Sequence, residues 1–163
     1  MDYLWTPWRY RYIANAGKED RCIFCDAVAA NYDAKSLIVF HGLKNFIILN
    51  AFPYTSGHVM VVPYAHVGDL AAAEPETLAE MMVLAQKVKT ALEKTYRPEG
   101  FNLGMNLGRA AGAGVTGHIH LHVLPRWAGD ANFMTVVSET RVEPEDLATT
   151  YQKLRKALEG QSS

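Results

Sequence analysis

Short apolar runs separated by turn residues fill the first half of the chain. The runs are rich in β-branched and aromatic side chains, which favour strands, and the gaps between them hold the Gly and Pro residues typical of turns. They cover residues 37–40, 46–49 and 59–62. Because the connections are short, the pattern predicts three antiparallel neighbours in a meander.

Apolar residues then recur at helical spacing from Glu76 to Tyr96, with Pro75 near the start of the segment. The positions that share this face are Leu78, Met81, Met82, Ala85, Val88 and Leu92. Both methionines are expected to fill the core. Pro98 follows the end of this helix, residues 101–107 predict a fourth strand, and residues from Glu143 onward predict a terminal helix.

The fifth predicted strand is the unusual one, because polar and apolar residues alternate in His118-Ile-His-Leu-His-Val123. In a strand, the three histidines lie on one face and the apolar residues on the other. The complete pattern predicts an α+β fold, a five-stranded antiparallel meander sheet with a long helix packed on it. Directly upstream, residues 102–116 are rich in glycine, so that backbone N–H groups there can approach a phosphate closely.

Three interpretations of the histidines compete. In the first interpretation the histidines are buried in the core, where each ring would need a polar partner for its hydrogen bonds. Two or three of them could instead hold a catalytic zinc with an open coordination position. In the third interpretation an imidazole attacks phosphorus while the glycine-rich loop neutralises phosphate charge, and the presence of that loop favours it.

Length and charge restrict the function further. The 163 residues predict one domain over 1–163, with 1–35 as an aromatic leader and cysteine segment, 36–127 as the core and 128–163 as a C-terminal extension and helix. A net charge of -1 offers no broad basic field to a nucleic-acid polymer or a membrane surface, so the ligand should be small. The absence of a long apolar run predicts a cytoplasmic protein.

Cys22 and Cys25 are the only cysteines, and a C-x-x-C pair by itself is ambiguous. The pair fits two free thiols, a redox couple or half of a zinc site. A redox couple is expected in a thioredoxin-like βαβ setting, which the sequence lacks. A closed tetrahedral zinc site needs two more ligands, and the histidines can supply them.

The stretch from His118 to Leu124 resembles the signature of the histidine triad (HIT) family of nucleotide hydrolases and transferases. The segments Asn50–His66 and Pro125–Phe133 resemble those that flank the signature in the family. Together with Leu4–Arg9, they resemble the bacterial branch that includes diadenosine tetraphosphate phosphorylases. The resemblance covers most of the chain and implies a HIT-like domain that pairs across an edge into a homodimer.

The resemblance also implies a metal site and a nucleophile. Cys22 and Cys25 would be joined by His66 and His118 around one structural zinc per chain, which leaves His120 as the attacking imidazole. His120 would take up a nucleoside monophosphate as a phosphoramidate, with a backbone carbonyl orienting its other ring nitrogen. The remaining implied contacts are His122 and His58 to phosphate oxygens, Asn50 to ribose, Asn106 to the transferred phosphate or the bridging oxygen, and Trp127 to the nucleotide.

One stretch departs from the family pattern. Many HIT hydrolases have Gly-Gln-Ser/Thr where this chain has Ala113-Gly114-Val115. The backbone amides of Gly114 and Val115 can still bind phosphate, and Arg109, Thr116 or Arg126 are nearby polar candidates. The departure agrees better with the phosphorylase branch than with small phosphoramidases.

Three functions follow as hypotheses. The first is cleavage of diadenosine tetraphosphate with inorganic phosphate as acceptor, giving ATP and ADP. The second is a hydrolase that discharges the same intermediate with water and acts on dinucleoside polyphosphates or nucleoside phosphoramidates. The third is a nucleotide-binding protein without turnover, and the intact histidine triplet argues against it because binding alone does not need His120.

Overall fold

The computed structural model describes residues 21–30, 32–130 and 145–160. The aromatic leader, the end of the segment Pro125–Phe133 and the predicted start of the terminal helix at Glu143 lie outside these ranges. The helices are α1 (Ile23–Ala29), α2 (Asp33–Ser36), α3 (Pro75–Tyr96) and α4 (Leu147–Glu159), with short 3-10 turns at Leu70–Ala72 and Arg109–Ala111. The strands are β1 (Ile38–His41), β2 (Asn45–Leu49), β3 (Val59–Pro63), β4 (Gly100–Gly104) and β5 (Leu121–Arg126).

The five strands form one antiparallel sheet in the order β1-β2-β3-β5-β4, which confirms the predicted α+β fold. The first three strands are a meander, as expected. Beyond them the order differs, because β5 lies between β3 and β4. The long helix α3 joins β3 to β4. Its length allows this connection to cross over β5, which lies between the two strands.

Both faces of the central strands are buried, and they pack on different elements. Alternate residues of β2 and β3, such as Ile47 and Val61, join α3 and α4 in one apolar cluster. The residues between them, such as Phe46 and Met60, pack with Phe24 of α1 on the other face. The sheet therefore has a helix-covered face and a second face that is available for a site.

The long helix begins at Pro75, which takes an N-terminal position where its missing N–H costs nothing. Its buried stripe includes Met81, Leu84 and Val88. The prediction that both methionines fill the core is wrong for Met82, which is 53% exposed. A residue adjacent in sequence to Met81 is turned by about 100° around the helix, and Leu84 occupies the core position instead.

The histidine segment is on the predicted face but is not all strand. β5 starts at Leu121, so His118 and His120 lie in the extended stretch before it, where the Ile119 N–H donates to the Val67 carbonyl at 2.8 Å. Ile119 joins the apolar cluster beneath α3, and the alternation therefore continues from the extended stretch into the strand. Among the described residues, no helix is both long and apolar enough to cross a membrane.

Candidate active site and metal cluster

A cavity of about 460 Å³ opens on the face of the sheet opposite α3, a volume within the usual range for small-molecule sites. Its apolar lining consists mainly of Ile23, Phe24, Ala27, Leu37, Ile48 and Met60. Its polar lining consists mainly of Lys35, Asn50, Asn106, Arg109, Thr116, His120 and His122, with backbone from Gly112 to Val115. The cavity thus joins an apolar wall, suited to a flat ring, to histidines and a glycine-rich loop.

The proton of His120 is fixed by the backbone. Its Nδ1 lies 2.9 Å from the carbonyl oxygen of His118, and because a carbonyl can only accept, Nδ1 carries the hydrogen. The lone pair is therefore on Nε2 of a ring that lines the cavity. Burial lowers the pKa of His120, although the bond to His118 opposes this. The ring is neutral at pH 7, with a nitrogen able to attack.

His122 is oriented by a chain of hydrogen bonds that starts at the turn after β2. The backbone N–H of Tyr54 donates to His58 Nδ1 at 3.1 Å, so the hydrogen of His58 is on Nε2. That group donates to His122 Nδ1 at 2.9 Å. His122 must therefore carry its own hydrogen on Nε2, which makes it a donor toward a ligand in the cavity.

Burial keeps both rings of this chain uncharged. It is the main cause that lowers the pKa of His58 to about 3 and that of His122 to about 4. The neighbouring His120 lowers both pKa values further, because positive charge on adjacent rings is mutually unfavourable. These histidines are thus hydrogen-bond donors and acceptors of fixed direction rather than cations.

Two residues predicted to contact the ligand are not among those that line the cavity. His58 was expected to touch phosphate, but it is 1% exposed, does not line the cavity and lies behind His122. Its place in the hydrogen-bond chain makes it a positioning residue. Trp127 follows the end of β5 and is not part of the cavity wall either, because β5 carries the chain away from the histidines.

The other predicted ligand contacts do lie at the cavity: Asn50, Asn106, Gly114, Val115, His120 and His122. Asn50 closes the turn after β2, where its Oδ1 accepts the Phe52 N–H at 2.9 Å and its Nδ2 approaches His58 at 3.4 Å. The amide therefore helps to hold the ring that orients His122.

Two cations of the described residues line the cavity. Arg126, a candidate from the sequence, is bound to Asp130 and Asn102 and is not part of the lining. Arg109 lines the cavity as expected, and Lys35 of α2, which the sequence analysis missed, lines it too. Neither makes an ion pair with a carboxylate in the part of the chain that the structure describes.

Phe24 was also missed, although its position between the two cysteines places it by sequence next to a predicted metal ligand. Its ring lies 5.1 Å from that of His120 and 5.4 Å from that of His118. It is 2% exposed yet lines the cavity, so it separates the metal cluster from the ligand space.

Cys22, Cys25, His66 and His118 form a cluster that could hold a metal ion, with their ligand atoms all within 4.8 Å of one another. His118 Nδ1 lies 3.3 Å from Cys22 Sγ, and His66 Nδ1 lies 3.4 Å from Cys25 Sγ. A tetrahedral zinc with two sulfur and two nitrogen ligands separates its ligand atoms by roughly 3.3–3.8 Å. The donor set and spacing fit such an ion.

The tautomer of His118 also fits a metal ligand. Its Nε2 lies 2.8 Å from the carbonyl oxygen of Pro63, so Nε2 carries the hydrogen and the Nδ1 lone pair points at the sulfurs. A backbone acceptor of this kind is the usual support of a metal-bound imidazole.

Comparison with known proteins gives consistent results. The profile of the HIT domain family matches residues 31–129. A Mycobacterium tuberculosis protein named AP-4-A phosphorylase is 38% identical over 161 residues, covering 94% of this chain and 83% of the relative. The crystal structure of a Zn-bound histidine triad family protein from Mycobacterium smegmatis aligns with a TM-score of 0.70 and 34% identity, covering 85% of this chain and 94% of that one. A hypothetical histidine triad nucleotide-binding protein from Sulfolobus tokodaii aligns with a TM-score of 0.69 and 28% identity, covering 85% of this chain and 93% of that one.

Proposed function

The chain belongs to the HIT domain family, and from this premise we propose that it cleaves diadenosine tetraphosphate, or a related dinucleoside polyphosphate, with inorganic phosphate as the acceptor. The observation that carries the proposal is the tautomer of His120, whose Nδ1–H is held by the His118 carbonyl while its Nε2 lone pair is left at a cavity. The M. tuberculosis relative named AP-4-A phosphorylase supports the choice of substrate.

In the first proposed step, His120 Nε2 attacks the phosphorus that carries the adenosine. The bond from that phosphorus to the bridging oxygen breaks, ATP leaves, and an adenylyl group is bound to the ring nitrogen. The positive charge that develops on the imidazole is stabilised at Nδ1–H by the carbonyl oxygen of His118. His122 can donate its Nε2–H to an oxygen of the transferred or departing phosphate.

In the second step, an oxygen of inorganic phosphate attacks the same phosphorus. The bond to His120 breaks, ADP leaves, and the neutral ring is restored. Asn106 and the amides of Gly114 and Val115 are proposed to hold the transferred phosphate, and Asn50 the ribose. Lys35 and Arg109 supply the positive charge that an anionic substrate and an anionic acceptor both need.

We also propose one zinc per chain at Cys22, Cys25, His66 and His118, in a structural role. The four ligands close the tetrahedron and leave no position for substrate. The Zn-bound M. smegmatis relative supports this identity of the metal.

A homodimer is the proposed assembly. Among the described strands β4 is at the edge of the sheet, and its Leu103 is 46% exposed, so a second copy can continue the sheet. A monomer in sedimentation equilibrium at micromolar concentration would contradict the proposal.

The acceptor is tested by product analysis. The purified protein is incubated with diadenosine tetraphosphate, with and without inorganic phosphate, and nucleotides are separated by chromatography. We expect ATP and ADP in equal amounts, formed much faster with phosphate. AMP and ATP, formed at a rate indifferent to phosphate, would favour the hydrolase instead.

A further inference from the structure

The metal cluster and the proposed nucleophile are connected through a single residue. His118 directs its Nδ1 at the two sulfurs, at 3.3 Å from Cys22 and 3.8 Å from Cys25, while its carbonyl oxygen accepts the Nδ1–H of His120. Its remaining ring nitrogen is tied to Pro63. A change in the position of His118 therefore reaches the group that fixes the tautomer of His120.

A second connection runs through α1. Cys22 and Cys25 flank Phe24, whose ring packs against both His118 and His120. Phe24 cannot keep this position if the first turn of α1 moves, because it lies between the two sulfur ligands. The cluster thus fixes the positions of both the His118 carbonyl and the Phe24 ring, which contact His120.

We propose that Cys22 and Cys25 are a modification site at which a peroxide forms a reversible disulfide, discharges the metal and disables His120. Both sulfurs are only half-buried, and with no other cysteine in the sequence each has the other as its intrachain partner. This differs from the redox couple of a thioredoxin-like protein, because the thiols do not act on substrate. The activity readout rests on the proposed function and the zinc readout on the proposed zinc site, whereas the mass and ring-proton readouts rest on neither.

The oxidation balances with a peroxide as the oxidant. One thiolate attacks a peroxide oxygen, the O–O bond breaks, and a sulfenic acid and hydroxide form. The second thiolate then attacks that sulfur and displaces a second hydroxide, which leaves a disulfide. Two electrons pass from the sulfurs to the peroxide.

The disulfide is incompatible with the metal site. Two sulfurs bound to one zinc are roughly 3.8 Å apart, whereas a disulfide holds them at about 2.05 Å. Only His66 and His118 then remain as ligands, which is too few to retain zinc against a chelator. The first turn of α1 contracts, and Phe24 and His118 lose their fixed positions beside His120.

The experiment uses the full-length protein, purified without added metal or chelator and then treated with hydrogen peroxide. Zinc release is followed with a chromogenic chelator, disulfide formation by the loss of two hydrogens in intact mass, and the His120 Nδ1–H by its slowly exchanging ring-proton NMR signal. We expect the bound zinc and the ring-proton signal to be lost in parallel with a fall in activity of at least tenfold. Dithiothreitol with zinc should restore all three.

The matched control is the Cys22→Ser/Cys25→Ser variant, which has no thiol to oxidise. Its starting activity is expected to be low, but peroxide should not lower it further. Equal fractional inactivation of this variant and the wild type would overturn the proposal, as would wild-type inactivation with zinc retained. If the variant does not fold, the wild type alone tests the proposal. Recovery of its activity by dithiothreitol with zinc distinguishes disulfide formation from methionine oxidation, because this treatment does not reverse methionine oxidation.

Failure of the proposed function gives a different result. If the reduced protein does not cleave diadenosine tetraphosphate, the zinc, mass and NMR readouts still test the connection between the cysteines and His120. Disulfide formation and zinc loss with an unchanged His120 ring-proton signal would overturn it.

Discussion

At the scale of single residues, the site is defined by where four imidazoles hold their hydrogens. His118 and His120 donate to backbone carbonyls, of Pro63 and His118 respectively. His58 accepts from the Tyr54 N–H and donates its own Nε2–H to His122. Each ring consequently offers one defined atom: His118 a lone pair to the cysteine sulfurs, His120 a lone pair to the cavity, His122 a donor to the cavity, and His58 a donor to His122.

His58 provides a test of this order. His58→Leu leaves His122 Nδ1 without its donor, so that His122 loses its preference for the Nε2–H tautomer. We expect kcat to fall about tenfold, with KM changed less than about twofold, because a lost buried hydrogen bond costs about 1–3 kcal/mol. His58→Gln keeps a donor at a similar distance and should retain more activity. Equal losses in both variants would show that His58 acts only through packing.

Burial of neutral histidines also predicts how stability depends on pH. The unfolded chain takes up a proton on each of His58 and His122 below about pH 6.5, whereas the folded chain, with pKa values of about 3 and about 4, does not. Because the unfolded state binds more protons, the free energy of unfolding falls as pH drops from 6.5 toward 4, by about 1.4 kcal/mol per pH unit for each ring.

His122→Asn isolates one ring, since the metal cluster is the same in both proteins. Urea unfolding at pH 7.0, 6.0 and 5.0 should give a shallower pH dependence for this variant than for the wild type. Parallel curves would mean that His122 takes up its proton in the folded protein as readily as in the unfolded chain.

At the scale of elements, two short structures bring cations to the cavity. α2 carries Lys35 and is anchored by Asp33, which accepts from His41 at 3.0 Å and lies 3.3 Å from Arg155 of α4. The glycine-rich loop carries Arg109, and Gly112 closes its 3-10 turn in the left-handed region at φ 89°. Neither cation is on a strand, so β5 and the stretch just before it supply the histidines, and other connections supply the charge.

Lys35→Ala and Arg109→Ala should each raise the KM for diadenosine tetraphosphate several-fold, since an exposed charge contributes about 0.2–1 kcal/mol. The effect should shrink as salt is added. Lys94→Ala, on the exposed end of α3 and outside the cavity, is the matched control and should behave as wild type. Equal KM values in the Lys35 and Lys94 variants would exclude Lys35 from substrate binding.

The sequence predicts elements well where the signal is local. Alternation of His118 to Val123 identifies the two faces, because side chains alternate along any extended chain. It cannot locate the start of β5, which depends on the pairing of Leu121 with Val61 of β3. For the same reason the role of His58 depends on the Tyr54 N–H, and Lys35 comes to the cavity only through the packing of α2.

In the molecule as a whole, the two faces of the sheet differ in role, since one packs in the apolar core and the other carries the candidate site. On its helix-covered face, Ile47 and Val61 are fully buried in one apolar cluster with Val88 of α3, and its other face carries the cavity and the metal cluster. The HIT domain profile covers residues 31–129. Cys22 and Cys25 therefore precede the matched region, whereas the other two members of the cluster, His66 and His118, lie inside it. The cluster thus fastens α1, which carries Phe24, to the segments that follow β3 and precede β5.

An adenylyl group carried by His120 would be visible in the intact mass of the protein. The protein is mixed with diadenosine tetraphosphate in the absence of phosphate, quenched in alkali, and compared with His120→Gln. We predict a gain of one adenylyl group in the wild type, located on His120 by fragmentation, absent in the variant and released as ADP when phosphate is added. Undiminished turnover by His120→Gln, or an adduct on another residue, would contradict the account.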